Sequence, residues 1–244
     1  MATNGTPPKI TLYTNHGCPW AHRAHITLRQ LGLPYEEVII DLGKPREAWY
    51  LDINPRGLVP SIKYSNGVIH DEIITESAIV SQFLADSHPS SFLPASNESP
   101  TAALTRARIN FFVDTWFTKA GSYWFKILTK DDGEEKDALV KEFLGIVEKE
   151  IEPLLKDAGP FFGGSKTLTF AEALTAPFIL RIYALSNKGR FLPEEIQTGL
   201  DKLPNFSKWA AATIAHDSVT YIWDEEAILK STVNRIEKLK AQAK

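Results

Sequence analysis

A chain of 244 residues, 43% hydrophobic and 23% charged, has the profile of an ordinary globular protein and is long enough for one large domain or two modest ones. Its formal net charge of -3 lacks the basic excess that nucleic-acid binding requires, so neither nucleic acid nor an acidic membrane surface is an expected partner. The start of the chain shows no basic segment followed by an apolar run. The most apolar stretch, residues 176–185, carries Arg181 and is too short to cross a bilayer, so a cytoplasmic setting is expected.

In chain order, residues 10–14 alternate apolar and polar side chains and read as a strand. Residues 20–31 place Ala24, Leu28 and Leu31 on one helical face, and Gly32 and Pro34 end that helix. Residues 36–40 read as a second strand, which makes a parallel βαβ unit with a right-handed crossover. A turn-rich loop leads to a strand over 61–65. Asn66-Gly67 then signals a hairpin whose returning strand is expected over 68–70. A helix is expected from about Glu76 through Leu84. The order is that of an α/β, thioredoxin-like fold, expected over residues 1–88.

Pro89, Pro94 and Pro100, interleaved with serines, mark a linker over 89–100. The remainder, 101–244, shows helical periodicity only and is expected to be an all-α domain. Leu139, Phe143, Val147, Ile151 and Leu154 form an apolar stripe over 134–156. Thr169 and Glu172 have the spacing of a capping box, and the helix they open contains Pro177, where a kink is expected. A charged amphipathic helix over 224–244 closes the chain.

Cys18 is the single cysteine, so neither a disulfide framework nor a two-thiol mechanism is open to the chain; Ala21 stands where a second thiol would be. Pro19 suits the first turn of a helix, which sets the sulfur against unpaired backbone N–H groups and the positive end of the helix dipole. Such a position favours a reactive cysteine over an inert buried one. His16, His22 and His25 lie close to it in sequence, and His22 and His25 are spaced to share a helical face. Structural zinc, however, recruits paired ligands from two separated knuckles, and no second cluster is visible, so no metal is expected and His25 reads as an ordinary helix residue.

Three stretches, in this order, resemble one family. Cys18-Pro19-Trp20-Ala21 is similar to the active site of the omega-class glutathione transferases and their fungal omega-like relatives. The run from Asn54 to Val59-Pro60 is similar to that family's cis-proline loop, and Glu76-Ser77 to its Glu-Ser pair at a helix start. The resemblance spans the chain and is strongest over 10–85. It implies glutathione as co-substrate, Cys18 as the catalytic nucleophile, and glutathione contacts from Trp20, Leu42, Lys44, Val59, Pro60, Glu76 and Ser77. The chemistry fits: a helix start with a serine suits a carboxylate, and a glutamate suits an ammonium.

The activity implied is glutathione-dependent thiol transfer, deglutathionylation, and reduction of glutathione adducts or dehydroascorbate. The co-substrate would be a hydrophobic or disulfide-bearing small molecule. Trp124 and Trp223 are the candidates for its pocket, taken from a wider set that includes Trp116, Tyr123 and Tyr183. A homodimer is implied by the resemblance. Alternatives are a glutathionyl-hydroquinone reductase, a non-catalytic glutathione-binding carrier, and a membrane-inserting channel protein. Glu172 departs from the aspartate usual in the family's second-domain capping box.

Overall fold

The computed structural model describes residues 7–242, with side chains to Glu237. The chain divides into two compact units between Leu93 and Pro94.

In the first unit, β1 (Lys9–Thr14), α1 (Pro19–Gln30) and β2 (Glu36–Ile39) form the expected parallel unit, with Thr14 opposite Ile39. A short helix, α2 (Ala48–Ile53), follows. Then come β3 (Ser61–Ser65), β4 (Glu72–Thr75) and α3 (Ser77–Ser87). The sheet runs β2-β1-β3-β4, with β3 antiparallel to both neighbours. This is a thioredoxin-like domain built on a four-stranded mixed sheet. Because strand side chains alternate, β1 feeds two cores. Ile10 and Leu12 pack with Ala24, Leu28, Val80 and Leu84, while Tyr13 packs on the other face with Ala21, Tyr50 and Val59.

Two expectations are corrected here. The returning strand of the hairpin is Glu72–Thr75, not 68–70. The Asn66-Gly67 turn does form, with Gly67 at φ 85, but the Asn66 carboxamide oxygen accepts from the backbone of both Val68 and Ile69 and curls the chain outward. Val68 is left 85% exposed, so it cannot be the inward residue of a paired strand. The loop after β2, expected to be irregular, contains α2. Its one buried side chain, Tyr50, is the anchor that makes so short a helix stable.

Helices are the regular elements of the second unit among its described residues, joined by turns and loops. It comprises α4 (Ala102–Thr115), α5 (Tyr123–Thr129), α6 (Glu134–Ile146), α7 (Phe170–Ser186), α8 (Glu194–Leu200), α9 (Pro204–Ile214), α10 (Asp217–Thr220) and α11 (Glu225–Gln242). The stripe expected over 134–156 is α6 continued by a π turn (Val147–Ile151) and a 3-10 turn (Glu152–Leu155). The last two residues of the expected C-terminal helix lie outside the described residues.

α7 is the central helix, buried on nearly every face, and it runs as one element through Pro177. Its start carries the capping box read from the sequence: the Glu172 carboxylate accepts from the Thr169 backbone N–H at 2.8 Å, and Thr169 accepts in turn from Ala171 N–H. Glu172, fully buried, also accepts from the Thr169 hydroxyl, the Phe162 N–H and the Trp209 indole N–H, at 2.6 to 2.8 Å. Four donors compensate the desolvation of this one carboxylate, which explains how a charge is tolerated there.

Candidate active site

Cys18 caps α1. Its backbone is extended (φ -85, ψ 120), Pro19 follows at the first helical position, and its carbonyl accepts the first helical hydrogen bond from His22 N–H at 3.0 Å. The Cys18 side chain makes no capping bond of its own. Its thiol instead donates to the Val59 carbonyl, Sγ to O 3.9 Å, which brings residues 41 positions apart into contact. The Val59–Pro60 peptide is cis, as the sequence resemblance implies.

The loop carrying Val59 is held by buried side chains from α2 and just after it. The Tyr50 hydroxyl and the Asn54 carboxamide both donate to the Leu58 carbonyl, at 2.6 and 2.9 Å, and Asn54 also donates to the Ser61 hydroxyl. Gly57 is required in this loop. It sits at φ 63, and a Cβ there would come within 2.9 Å of the Arg46 side chain.

Cys18 opens into a cavity of about 510 Å³ within the first unit. Trp20, Leu42, Val59, Pro60, Glu76 and Ser77 line it, so the structure brings together seven of the eight residues read as the catalytic and glutathione-binding set. Trp20 is half exposed and forms an apolar wall, with the Arg23 guanidinium 4.5 Å from its ring centre.

Glu76 precedes α3 at φ 69, a conformation that costs a residue with a Cβ on the order of 1–3 kcal/mol. Its carboxylate is ion-paired to Arg56. Ser77 is buried at the first turn of α3 and accepts a hydrogen bond from the Arg23 guanidinium at 3.0 Å.

Lys44 is the exception. It does not line this cavity; its ammonium lies out in solvent, 3.3 Å from Asp41, beside a separate small pocket of about 130 Å³. The cation from that loop that does line the larger cavity is Arg46. It is fixed there by donating to the carbonyls of Gly57 and Asp41 at 3.0 and 2.6 Å. The second cation that the sequence reading left without a ligand role is Arg23, which is buried and lines the same cavity. Burial pushes its guanidinium down to about 9, with the charge of Cys18 opposing that shift. An anion bound in the cavity would relieve the same desolvation cost.

Of the aromatics proposed for an acceptor pocket, Trp116 and Tyr123 are core residues of the second unit; Trp116 is fully buried beside Phe206. Tyr183 is tied to Asp201 through its hydroxyl at 3.0 Å. Trp124 and Trp223 are partly buried in that unit, Trp124 edge-on to Phe125 and Trp223 beneath the Arg181 guanidinium. Among the described residues, no helix is long and apolar enough to cross a membrane.

Residues 17–87 match the family described as glutathione S-transferase, N-terminal domain. Over 222 residues the chain is 25% identical to glutathione S-transferase omega-1 of Sus scrofa, covering 91% of this chain and 83% of the other. Over 181 residues it is 29% identical to a probable cytosolic glutathione S-transferase, DHAR1, of Oryza sativa subsp. japonica, covering 73% and 74%. The fold is similar to that of glutathione transferase Omega 1C from Trametes versicolor, with a TM-score of 0.80 and 26% identity over 96% of this chain and 98% of that one. The helix-capping cysteine and the cis-proline loop thus lie in a segment that matches the glutathione S-transferase N-terminal domain, in a chain similar over most of its length to glutathione transferases of the omega class.

Proposed function

We propose that this glutathione-dependent enzyme works as a monothiol transferase and reductase, with Cys18 as the nucleophile. The observation that carries the reading is the placement of the single cysteine, at the first turn of α1 and in the wall of a cavity that also presents Ser77 at the start of α3 and the Glu76 carboxylate. The helix start and Ser77 suit the γ-glutamyl carboxylate of glutathione, Glu76 suits its ammonium, and Arg46 is the cation suited to its glycyl carboxylate.

In the proposed reaction the Cys18 thiolate attacks the glutathione sulfur of a mixed disulfide. The Cys18–glutathione S–S bond forms, the original S–S bond breaks, and the departing thiolate takes up a proton. A second glutathione thiolate then attacks the bound glutathione's sulfur, releasing glutathione disulfide and restoring the Cys18 thiolate. An external resolving thiol is required because the chain has no second cysteine. The same nucleophile attacking the thioether sulfur of a glutathione adduct forms the Cys18–glutathione disulfide and breaks the C–S bond, the carbon taking up a proton to give the reduced compound; dehydroascorbate reduction draws its two electrons from two glutathione thiols, which leave as glutathione disulfide. A dimeric state and a cytoplasmic setting belong to this proposal as well.

The test is turnover of a glutathione mixed disulfide. Cys18→Ala abolishes it under this reading, and Cys18→Ser retains only conjugation of electrophiles. Full thioltransferase activity in Cys18→Ala would contradict the assignment.

A further inference from the structure

His25 is a fully buried titratable side chain that the thiol chemistry leaves unused. It comes from the middle of α1, where its ring meets two other donors of metal-ligand type. His16 arrives from the loop after β1 and Glu37 from β2. One donor atom from each of the three lies within 4.8 Å of the other two. His16 Nε2 is 2.7 Å from one carboxylate oxygen of Glu37, and His25 Nδ1 is 3.8 Å from the other.

A simple ion pair between His16 and Glu37 would need one imidazole. Here a second ring stands edge-on to the first, with centres 5.2 Å apart, and turns its Nδ1 toward the same carboxylate. The far nitrogen, Nε2, is hydrogen-bonded to the buried Thr14 hydroxyl at 2.7 Å. With the proton on Nε2 and donated to Thr14, Nδ1 accepts from the Tyr35 hydroxyl at 3.0 Å and lies 3.8 Å from Glu37, so an ion bound there takes over that lone pair from the tyrosine while Thr14 keeps the tautomer fixed. The Tyr35 hydroxyl, 3.0 Å from Nδ1, supplies a polar neighbour for a fourth position.

We propose that His16, His25 and Glu37 form a binding site for a divalent late first-row transition metal, zinc in the first instance. Two imidazoles and one carboxylate are a zinc ligand set with one position left for water. Tetrahedral zinc at its usual bond lengths holds its donors about 3.3 Å apart, so the His16–Glu37 separation opens slightly and the His25–Glu37 separation closes slightly. The buried His25 stays in place: the half-exposed His16 moves, and Glu37, 30% exposed, turns its carboxylate toward His25. The bound ion ties the loop two residues before Cys18 to β2 and α1, clamping the entry to the catalytic helix. Sequence spacing could not reveal the site, because the third ligand comes from β2 rather than from the histidine cluster around Cys18.

The experiment uses full-length protein stripped with a chelator, dialysed, and titrated calorimetrically with zinc chloride. The wild type takes up one zinc per chain. Glu37→Gln and His16→Gln, both exposed positions, each weaken binding by about tenfold or more, and Cys18→Ser binds as the wild type does. Thermal unfolding is the second readout: zinc raises the Tm of the wild type and of Cys18→Ser but not that of Glu37→Gln. The proposal is overturned by absence of stoichiometric uptake, by uptake that disappears in Cys18→Ser, or by uptake unchanged in both Glu37→Gln and His16→Gln.

Discussion

The Arg23 guanidinium donates to the Ser77 hydroxyl at 3.0 Å, joining α1, which Cys18 caps, to the start of α3 through two buried side chains that both line the thiol's cavity. One contact thereby couples the helix that carries the proposed nucleophile to the helix start proposed to hold the glutathione carboxylate. Truncating Arg23 removes a buried charged donor, worth about 1.5–3 kcal/mol. Arg23→Met is expected to raise the KM for glutathione by about tenfold or more. Arg23→Lys, which keeps the charge but loses the planar fork, is expected to recover part of that loss. Steady-state kinetics, with a Tm measurement to confirm folding, checks both.

Glu76 combines strain with charge. Its carboxylate faces Arg56 in a largely exposed ion pair, which contributes about 0–1 kcal/mol, while its positive φ penalises any side chain with a Cβ. Glu76→Ala and Glu76→Gly lose the same carboxylate and are both expected to bind glutathione more weakly. They differ in backbone: the glycine variant is expected to be more stable than the alanine variant by about 1 kcal/mol. Urea denaturation of the pair reads that difference, and equal stabilities would mean that the residue is unstrained.

Glu172 anchors the second unit. Its replacement by alanine leaves the Phe162 N–H, the Thr169 N–H and the Trp209 indole N–H buried without an acceptor. The expected loss of stability is about 3 kcal/mol or more, measured as a lowered urea midpoint. A loss below about 1 kcal/mol would mean that other acceptors take over these donors.

His88 gives a pH dependence. Burial lowers its pKa below the ordinary histidine value, and its Nε2 lies 3.0 Å from the Tyr64 hydroxyl. The unfolded chain therefore binds the proton first as pH falls. Its contribution to stability is fully present above the unfolded histidine pKa of about 6.5 and is lost as pH falls through the lower folded value. His88→Gln is expected to show a smaller loss of stability than the wild type between about pH 7 and pH 5. Equal pH slopes for the two proteins would contradict this.

Much of the fold was legible where its signals are local. Strand alternation at 10–14, the helix-starting Pro19 and the Thr169–Glu172 spacing each correspond to an element or cap in the structure. The hairpin was misread because Asn66 bonds its own loop backbone, an interaction that turn statistics do not distinguish from a tight reversal. Helix α2 escaped because six residues carry less than two turns of periodicity, and Tyr50 is held by tertiary burial. Lys44 was assigned by resemblance, whereas the loop turns it towards Asp41 and brings in Arg46 two residues later. Arg23 escaped the sequence reading of the site, because its hydrogen bond to Ser77 joins positions 54 residues apart.

On the proposed mechanism, Cys18 forms a disulfide with glutathione during turnover. Mass spectrometry of the full-length protein after incubation with glutathione disulfide, followed by peptide mapping, tests it most directly. One glutathione per chain is expected, on the peptide containing Cys18, removed by added glutathione and absent from Cys18→Ser. Steady turnover of a mixed disulfide with no glutathione ever linked to Cys18 would contradict it.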